Sequence, residues 1–200
     1  MAAMICRRSR TLPDDNFSKS LELLDKDSRL DSMLDPDTEF SGLSQRCSYV
    51  FPSVPALKML SELGPLVEIG AGTGYWTYKL RSVGVDVIAF DQAPPDGERA
   101  NRYHAKTETW THVLQGDHTV LSDYSNRVLF LCWPPLFSAL GECLSFYSGD
   151  TVAYIGDNGY RTARLDHLRD AFTQVSTTPI RALEPHPGVP ARLSIWKRVR

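Results

Sequence analysis

From Phe51 onward, short apolar runs alternate with stretches of helical period, which predicts a mostly parallel sheet covered by helices on both faces. Ser53 caps a helix running to about Leu63, Gly64-Pro65 stops it, and Leu66 to Ile69 forms the first strand. A helix from Gly74 to Val83 leads through Gly84 into a second strand, Val85 to Phe90, with Asp91 at its carboxyl end. Thr111 to Gln115 reads as the third strand. The continuous apolar run Arg127 to Trp133, stopped by Pro134-Pro135, suits a buried fourth. Leu136 to Tyr147 is expected to be helical and Thr151 to Ile155 to be the fifth strand. The segment Arg161 to Phe172 carries apolar residues at Ala163, Leu165, Leu168, Ala171 and Phe172, a helical stripe. Two further strand patterns, Pro179 to Leu183 and Ala191 to Val199, flank a Pro185 to Pro190 hinge and fit an antiparallel hairpin on the sheet edge. The expected fold class is α/β, a Rossmann-like doubly wound, seven-stranded and mostly parallel sheet closed by an antiparallel C-terminal hairpin.

Length adds one constraint: 200 residues of average apolar content make a single domain with a full core. Residues 1–45 read as a mobile leader, rich in Asp, Ser and Lys, with one short amphipathic helix around Leu21, Leu23, Leu24 and Leu30; residues 46–200 form the domain. The net charge of −2 gives no electrostatic footprint for duplex nucleic acid. Cys6, Cys47, Cys132 and Cys143 lack metal-ligand spacing, and the histidines are scattered, so reduced packing cysteines in a cytoplasmic protein are expected and no metal is. No apolar run approaches membrane-spanning length, and the basic N-terminus lacks the apolar core of a secretion signal.

The chemistry concentrates in Leu66-Val67-Glu68-Ile69-Gly70-Ala71-Gly72-Thr73-Gly74-Tyr75-Trp76, where a strand runs into three glycines at alternating positions and then into a helix. Missing Cβ atoms let the chain turn sharply and let a ligand lie against the main chain, with the free N–H groups of the helix aimed at the same spot. A dinucleotide fingerprint would place its third glycine where Tyr75 stands, which disfavours NAD; no Gly-Lys-Ser/Thr is present, which removes a phosphate-cradling P-loop.

Glu68 two residues before Gly-x-Gly-x-Gly resembles the first motif of the class I S-adenosylmethionine (SAM) methyltransferases. The likeness extends to Tyr49-Val50-Phe51-Pro52, Phe90-Asp91, Pro94-Pro95, Asn101-Arg102-Tyr103-His104, Val113 to Asp117, Cys132-Trp133-Pro134-Pro135, Tyr147-Ser148-Gly149-Asp150 and Tyr154-Ile155-Gly156. This ordered set resembles a family of small SAM-dependent methyltransferase-like proteins over about residues 49 to 199. Two departures, Leu136 where an aromatic follows Trp-Pro-Pro in that family and Asp157 where a glutamate follows the strand-five glycine, bear on the acceptor pocket.

The resemblance implies the class I methyltransferase fold and SAM as cofactor. Glu68 would orient the loop, and Gly70, Ala71, Gly72, Thr73 and Gly74 would bed the methionine part. Asp91 would take the ribose hydroxyls, Asp117 the adenine amino group, and Cys132 would also touch the cofactor. Cys132-Trp133-Pro134-Pro135 resembles the Asp/Asn-Pro-Pro-aromatic motif of base amino-methyltransferases, but Trp133 replaces the proton-accepting carboxylate or amide, which makes base methylation a minor hypothesis. Trp133, His104 and Tyr103 are the candidate catalytic residues: Trp133 as an aromatic wall for a sulfonium, His104 as a base titrating near neutrality. The expected activity is methyl transfer to an oxygen or nitrogen of a small molecule; a catalytically silent SAM-binding scaffold, or methylation of nucleic acid or protein, is the alternative.

Overall fold

The computed structural model describes residues 40–97, 103–104, 107–135, 139–157, 161–180 and 190–199. Expectations for the leader helix at Leu21 to Leu30, for Asn101-Arg102, for Leu136 and for the Pro185 hinge lie outside the described residues. Seven strands, β1 (Leu66–Ile69), β2 (Val87–Asp91), β3 (Leu114–Gln115), β4 (Val128–Cys132), β5 (Thr151–Gly156), β6 (Phe172–Pro179) and β7 (Arg192–Arg198), form one sheet in the order β3-β2-β1-β4-β5-β7-β6. The first five are parallel, and β7 runs antiparallel to both β5 and β6. This is the seven-stranded layout that the resemblance implied. Strand order reverses between β1 and β4, so a crevice opens at their carboxyl ends, where an open α/β sheet receives its ligand.

Among the described residues five helices accompany the sheet: α1 (Phe40–Arg46), α2 (Val54–Ser61), α3 (Tyr75–Ser82), α4 (Ala139–Phe146) and α5 (Asp166–Ala171), with a 3-10 turn at His118–Asp123. Side chains alternate across the strands, so consecutive residues enter different cores. Leu66, Phe130 and Ile155 pack with Leu60 of α2 and with Trp76 and Leu80 of α3 on one face. Val67, Leu129, Leu131 and Tyr154 pack with Leu140 of α4 and Leu168 of α5 on the other. Burial on both faces explains why β4 and β5 read as unbroken apolar runs rather than alternating ones. Truncating a fully buried Leu129 to Ala would cost about 2–5 kcal/mol.

Local chemistry sets the element ends. Ser53 caps α2 by accepting from Ala56 N–H, with Pro55 in the first turn, as the sequence predicted. Three elements differ most from expectation. The edge strand β6 begins at Phe172, upstream of the predicted Pro179 to Leu183, and α5 is correspondingly short. The reason is that Arg161 and Thr162 are bound to Asp157, while Thr173, Val175, Thr177 and Thr178 are β-branched residues on a mostly exposed edge, with no apolar alternation to announce a strand. β3 is only Leu114–Gln115 because Thr111 and Val113 lie against the glycine loop: a Cβ on Gly74 would meet them at 3.2 and 2.8 Å.

Candidate functional site

β1 and β2 build the first wall of the crevice. Parallel pairing sets Ile69 opposite Phe90, and the chain leaves β1 with Gly70 N–H and Ala71 N–H both donating to Phe90 O at 2.9 and 3.0 Å. Gly72 N–H then donates to Asp91 Oδ2 at 2.8 Å, while Asp91 Oδ1 accepts from Ala93 N–H at 2.9 Å. One buried carboxylate thus ties the glycine loop to the turn after β2. Gly72 has φ +54°, and a Cβ there would sit 2.7 Å from His104 Nε2, so both conformation and space require glycine. Gly74, at φ +73°, starts α3.

Beneath the loop lies Glu68, buried at the floor of the cavity. Burial pushes its carboxyl up from 4.5 to about 7; the hydrogen bond from Thr77 Oγ1 works against this, the negative charge of Asp91 adds to it and Arg81 offsets part. Cys132 closes β4 nearby, its thiol raised well above the ordinary value by burial and by Glu68, with a hydrogen bond from Ser48 opposing.

The chain from α1 to α2 is strapped across this loop by bonds to its carbonyls. Thr73 Oγ1 donates to Cys47 O at 2.6 Å, Trp76 Nε1 to Val50 O at 3.0 Å and Trp110 Nε1 to Arg46 O at 2.8 Å. His104 Nδ1 lies 2.8 Å from Gln45 O. A carbonyl only accepts, so in the neutral ring Nδ1 carries the proton and the lone pair is on Nε2, above Gly72. The ring stands edge-on to Tyr49 with centroids 6.4 Å apart.

The second wall comes from β4 and β5. Trp133 has φ 57°, the one positive value among described residues other than glycine, at a cost of about 1–2 kcal/mol. Its N–H donates to Ile155 O at 2.8 Å, which fixes it to β5. Together the walls enclose a cavity of about 630 Å³.

No family model matches this chain. Its sequence is similar to ribosomal RNA large subunit methyltransferase M of Alkalilimnicola ehrlichii, 26% identical over 139 residues that cover 56% of this chain. The chain spans only 38% of that relative's length. Among solved structures it resembles the PH0226 protein of Pyrococcus horikoshii OT3 at TM-score 0.50, 11% identical, covering 72% of this chain and 86% of the other. A SAM-dependent methyltransferase of Anabaena variabilis superposes at TM-score 0.49, 12% identical, over 100% of both chains. The fold is an α/β, mostly parallel seven-stranded sheet with an antiparallel C-terminal hairpin, the layout expected of the class I methyltransferases.

Of the residues singled out from the sequence, Glu68, Gly70, Ala71, Gly72, Asp91, Asp117, Cys132, Tyr103, His104 and Trp133 come together on the cavity wall. Thr73 and Gly74 are not on that wall: Thr73 is buried, its hydroxyl committed to Cys47 O, and Gly74 packs under Val113. Asp117 is half-buried and caps the 3-10 turn, and the two bonds from Thr119, hydroxyl and N–H at 2.6 and 2.9 Å, hold its carboxyl below the ordinary range. Sequence reasoning did not single out Ser48, Gln92, Glu142 or Arg161, which also line the cavity. Only Arg161 carried a signal, its place a few residues beyond the end of a parallel strand.

Proposed function

We propose that this protein is a SAM-dependent methyltransferase acting on an oxygen or nitrogen of a small molecule. The observation that carries the reading is the glycine loop held open by Asp91: at Gly70 a Cβ would meet nothing within 4 Å, so bare main chain faces the cavity. The residues fit SAM. Gly70, Ala71 and Gly72 would hold the methionine part, Asp91 the ribose, and Asp117 the adenine side, while carboxylates on the wall complement a positive sulfonium. Bound SAM supplies an electrophilic methyl group.

The protein's own work is alignment and exclusion of water. Trp133 would wall the transfer site and Tyr103 flank the acceptor, with His104 Nε2 placed to take the acceptor's proton. A ribosomal RNA acceptor, suggested by the curated relative, is the weaker reading, because Arg161 is the one Arg or Lys on the described wall and tracking a phosphate backbone needs several. Cys132 and Cys143 form no disulfide among the described residues, which agrees with a reducing cytoplasm.

Calorimetric titration tests the cofactor: SAM and S-adenosylhomocysteine should bind and NAD should not. Turnover of SAM with a panel of small acceptors then separates an enzyme from a silent SAM-binding scaffold, which would bind and never turn over. Equal affinity for NAD, or no affinity for SAM, would overturn the proposal.

A further inference from the structure

We infer that Glu68 is the counter-ion of the cofactor's positive charge, and that it gives up a proton to solvent as that charge enters the cavity. This rests on the methyltransferase reading and names the residue by which the same site tells a cationic ligand from a neutral one. Two carboxylates on the cavity wall are buried, Glu68 at 2% exposed and Asp91 at 8%. Asp91 is spent, with Oδ2 accepting from Gly72 N–H and Oδ1 from Ala93 N–H. Glu68 holds one oxygen in reserve: Oε2 accepts from Thr77 Oγ1, and Oε1 has no hydrogen-bond partner among the described residues. A buried acceptor left without a partner is costly, and this one borders the cavity, where a ligand can supply the missing charge.

The groups packed around Glu68 do not neutralise it. From β2 comes the negative charge of Asp91, from β4 the thiol of Cys132, and from the strap the hydroxyl of Ser48, which is bonded to Cys132. α3 brings Thr77 and Arg81, but the Arg81 guanidinium donates to Val87 O, Thr111 Oγ1 and His112 O, and offsets only part of the penalty of burial. Lys79 of the same helix lies over the rings of Tyr75 and Tyr78, 5.6 and 5.7 Å from their centroids. His104 is on the wall above Gly72. The unliganded protein therefore keeps Glu68 protonated up to about pH 7. An ammonium or a sulfonium arriving beside the carboxyl favours its charged form, returns it toward its ordinary value and drives the proton out. A neutral ligand does the opposite, because it displaces water, deepens the burial and holds the proton more firmly.

The test counts protons, by calorimetry of the full chain in buffers of different ionisation enthalpy. SAM carries an ammonium and a sulfonium, S-adenosylhomocysteine the ammonium alone, and adenosine neither. Relative to Glu68→Gln, wild type should release about 0.8 of a proton per SAM at pH 6 and about 0.1 at pH 8, and its advantage in SAM affinity should grow about tenfold between the two. Adenosine should release none. Equal release with SAM and S-adenosylhomocysteine gives the charge to the ammonium, and release with SAM alone gives it to the sulfonium; either result supports the inference. In wild type alone, infrared difference spectra should show a protonated-carboxyl band lost as SAM binds, which a histidine does not produce, so the test stands even if the variant fails to fold. Proton uptake, no exchange, a release that survives Glu68→Gln, or an equal release with adenosine overturns the inference and leaves the methyltransferase reading in place. Failure of wild type to bind either SAM or S-adenosylhomocysteine removes that reading, and this inference with it.

Discussion

The two walls of the cavity are made of different material. The β1–β2 wall is main chain: amides of Gly70, Ala71 and Gly72, ordered by Phe90 O and Asp91. The β4–β5 wall is side chain: Trp133 and Arg161, with a turn fixed by Asp157 behind them. A backbone surface accepts few substitutions and recognises a constant ligand; a side-chain surface changes with each residue and suits the variable partner.

The largest blow to the first wall should be Gly72→Ala, which adds a left-handed strain and a contact with His104 Nε2 at 2.7 Å. Together these are worth about 3–4 kcal/mol, a several-hundredfold loss of SAM affinity by calorimetry. Trp133→Ala, on the second wall, should lower turnover while leaving SAM affinity within about threefold. Equal effects of the two variants on SAM would erase the division between the walls.

Glu68→Gln sharpens it through pH. Because burial raises the folded-state carboxyl from 4.5 to about 7, the folded protein keeps a proton that the unfolded chain gives up. This contribution is fully present below about 4.5, declines as pH rises toward 7, and stays lost above it, amounting to about 3 kcal/mol. Glu68→Gln keeps an acceptor for Thr77 Oγ1, so denaturant melts should show the variant more stable than wild type at pH 8 and the gap closing by pH 5. A gap that does not depend on pH would refute the buried-acid account.

Asp91→Asn retains the shape but weakens the bond to Gly72 N–H, and should reduce SAM affinity about tenfold. The smallest effect belongs to the strap: Trp76→Phe removes the bond to Val50 O and should cost about 1 kcal/mol, read as a lower Tm.

The same contrast explains what could be read from sequence. Glu68-Ile69-Gly70-Ala71-Gly72 announces its site because missing Cβ atoms leave a mark in one dimension. Asp91 was singled out by its position at a strand end; that it fastens Gly72 could not be read, because this depends on which carboxylate oxygen meets which amide. The strap carried no mark, since Gln45, Arg46 and Cys47 contribute carbonyls that every residue type possesses. Arg161 was hidden within a helical stripe whose first turn is given over to Asp157. β6 was misplaced for a related reason: on an edge strand mostly open to water, alternation between apolar and polar residues has little to report.

Both margins of the sheet are blunted, by different means. At one side the rim is a strand of two residues, Leu114–Gln115; at the other, the pairing of Phe172–Pro179 slips between Gln174 and Ser176, leaving Val175 57% exposed on a kinked backbone. Neither rim presents the long, straight row of free amides on which another chain could template itself, so the fold carries its own protection against ribbon-like self-association.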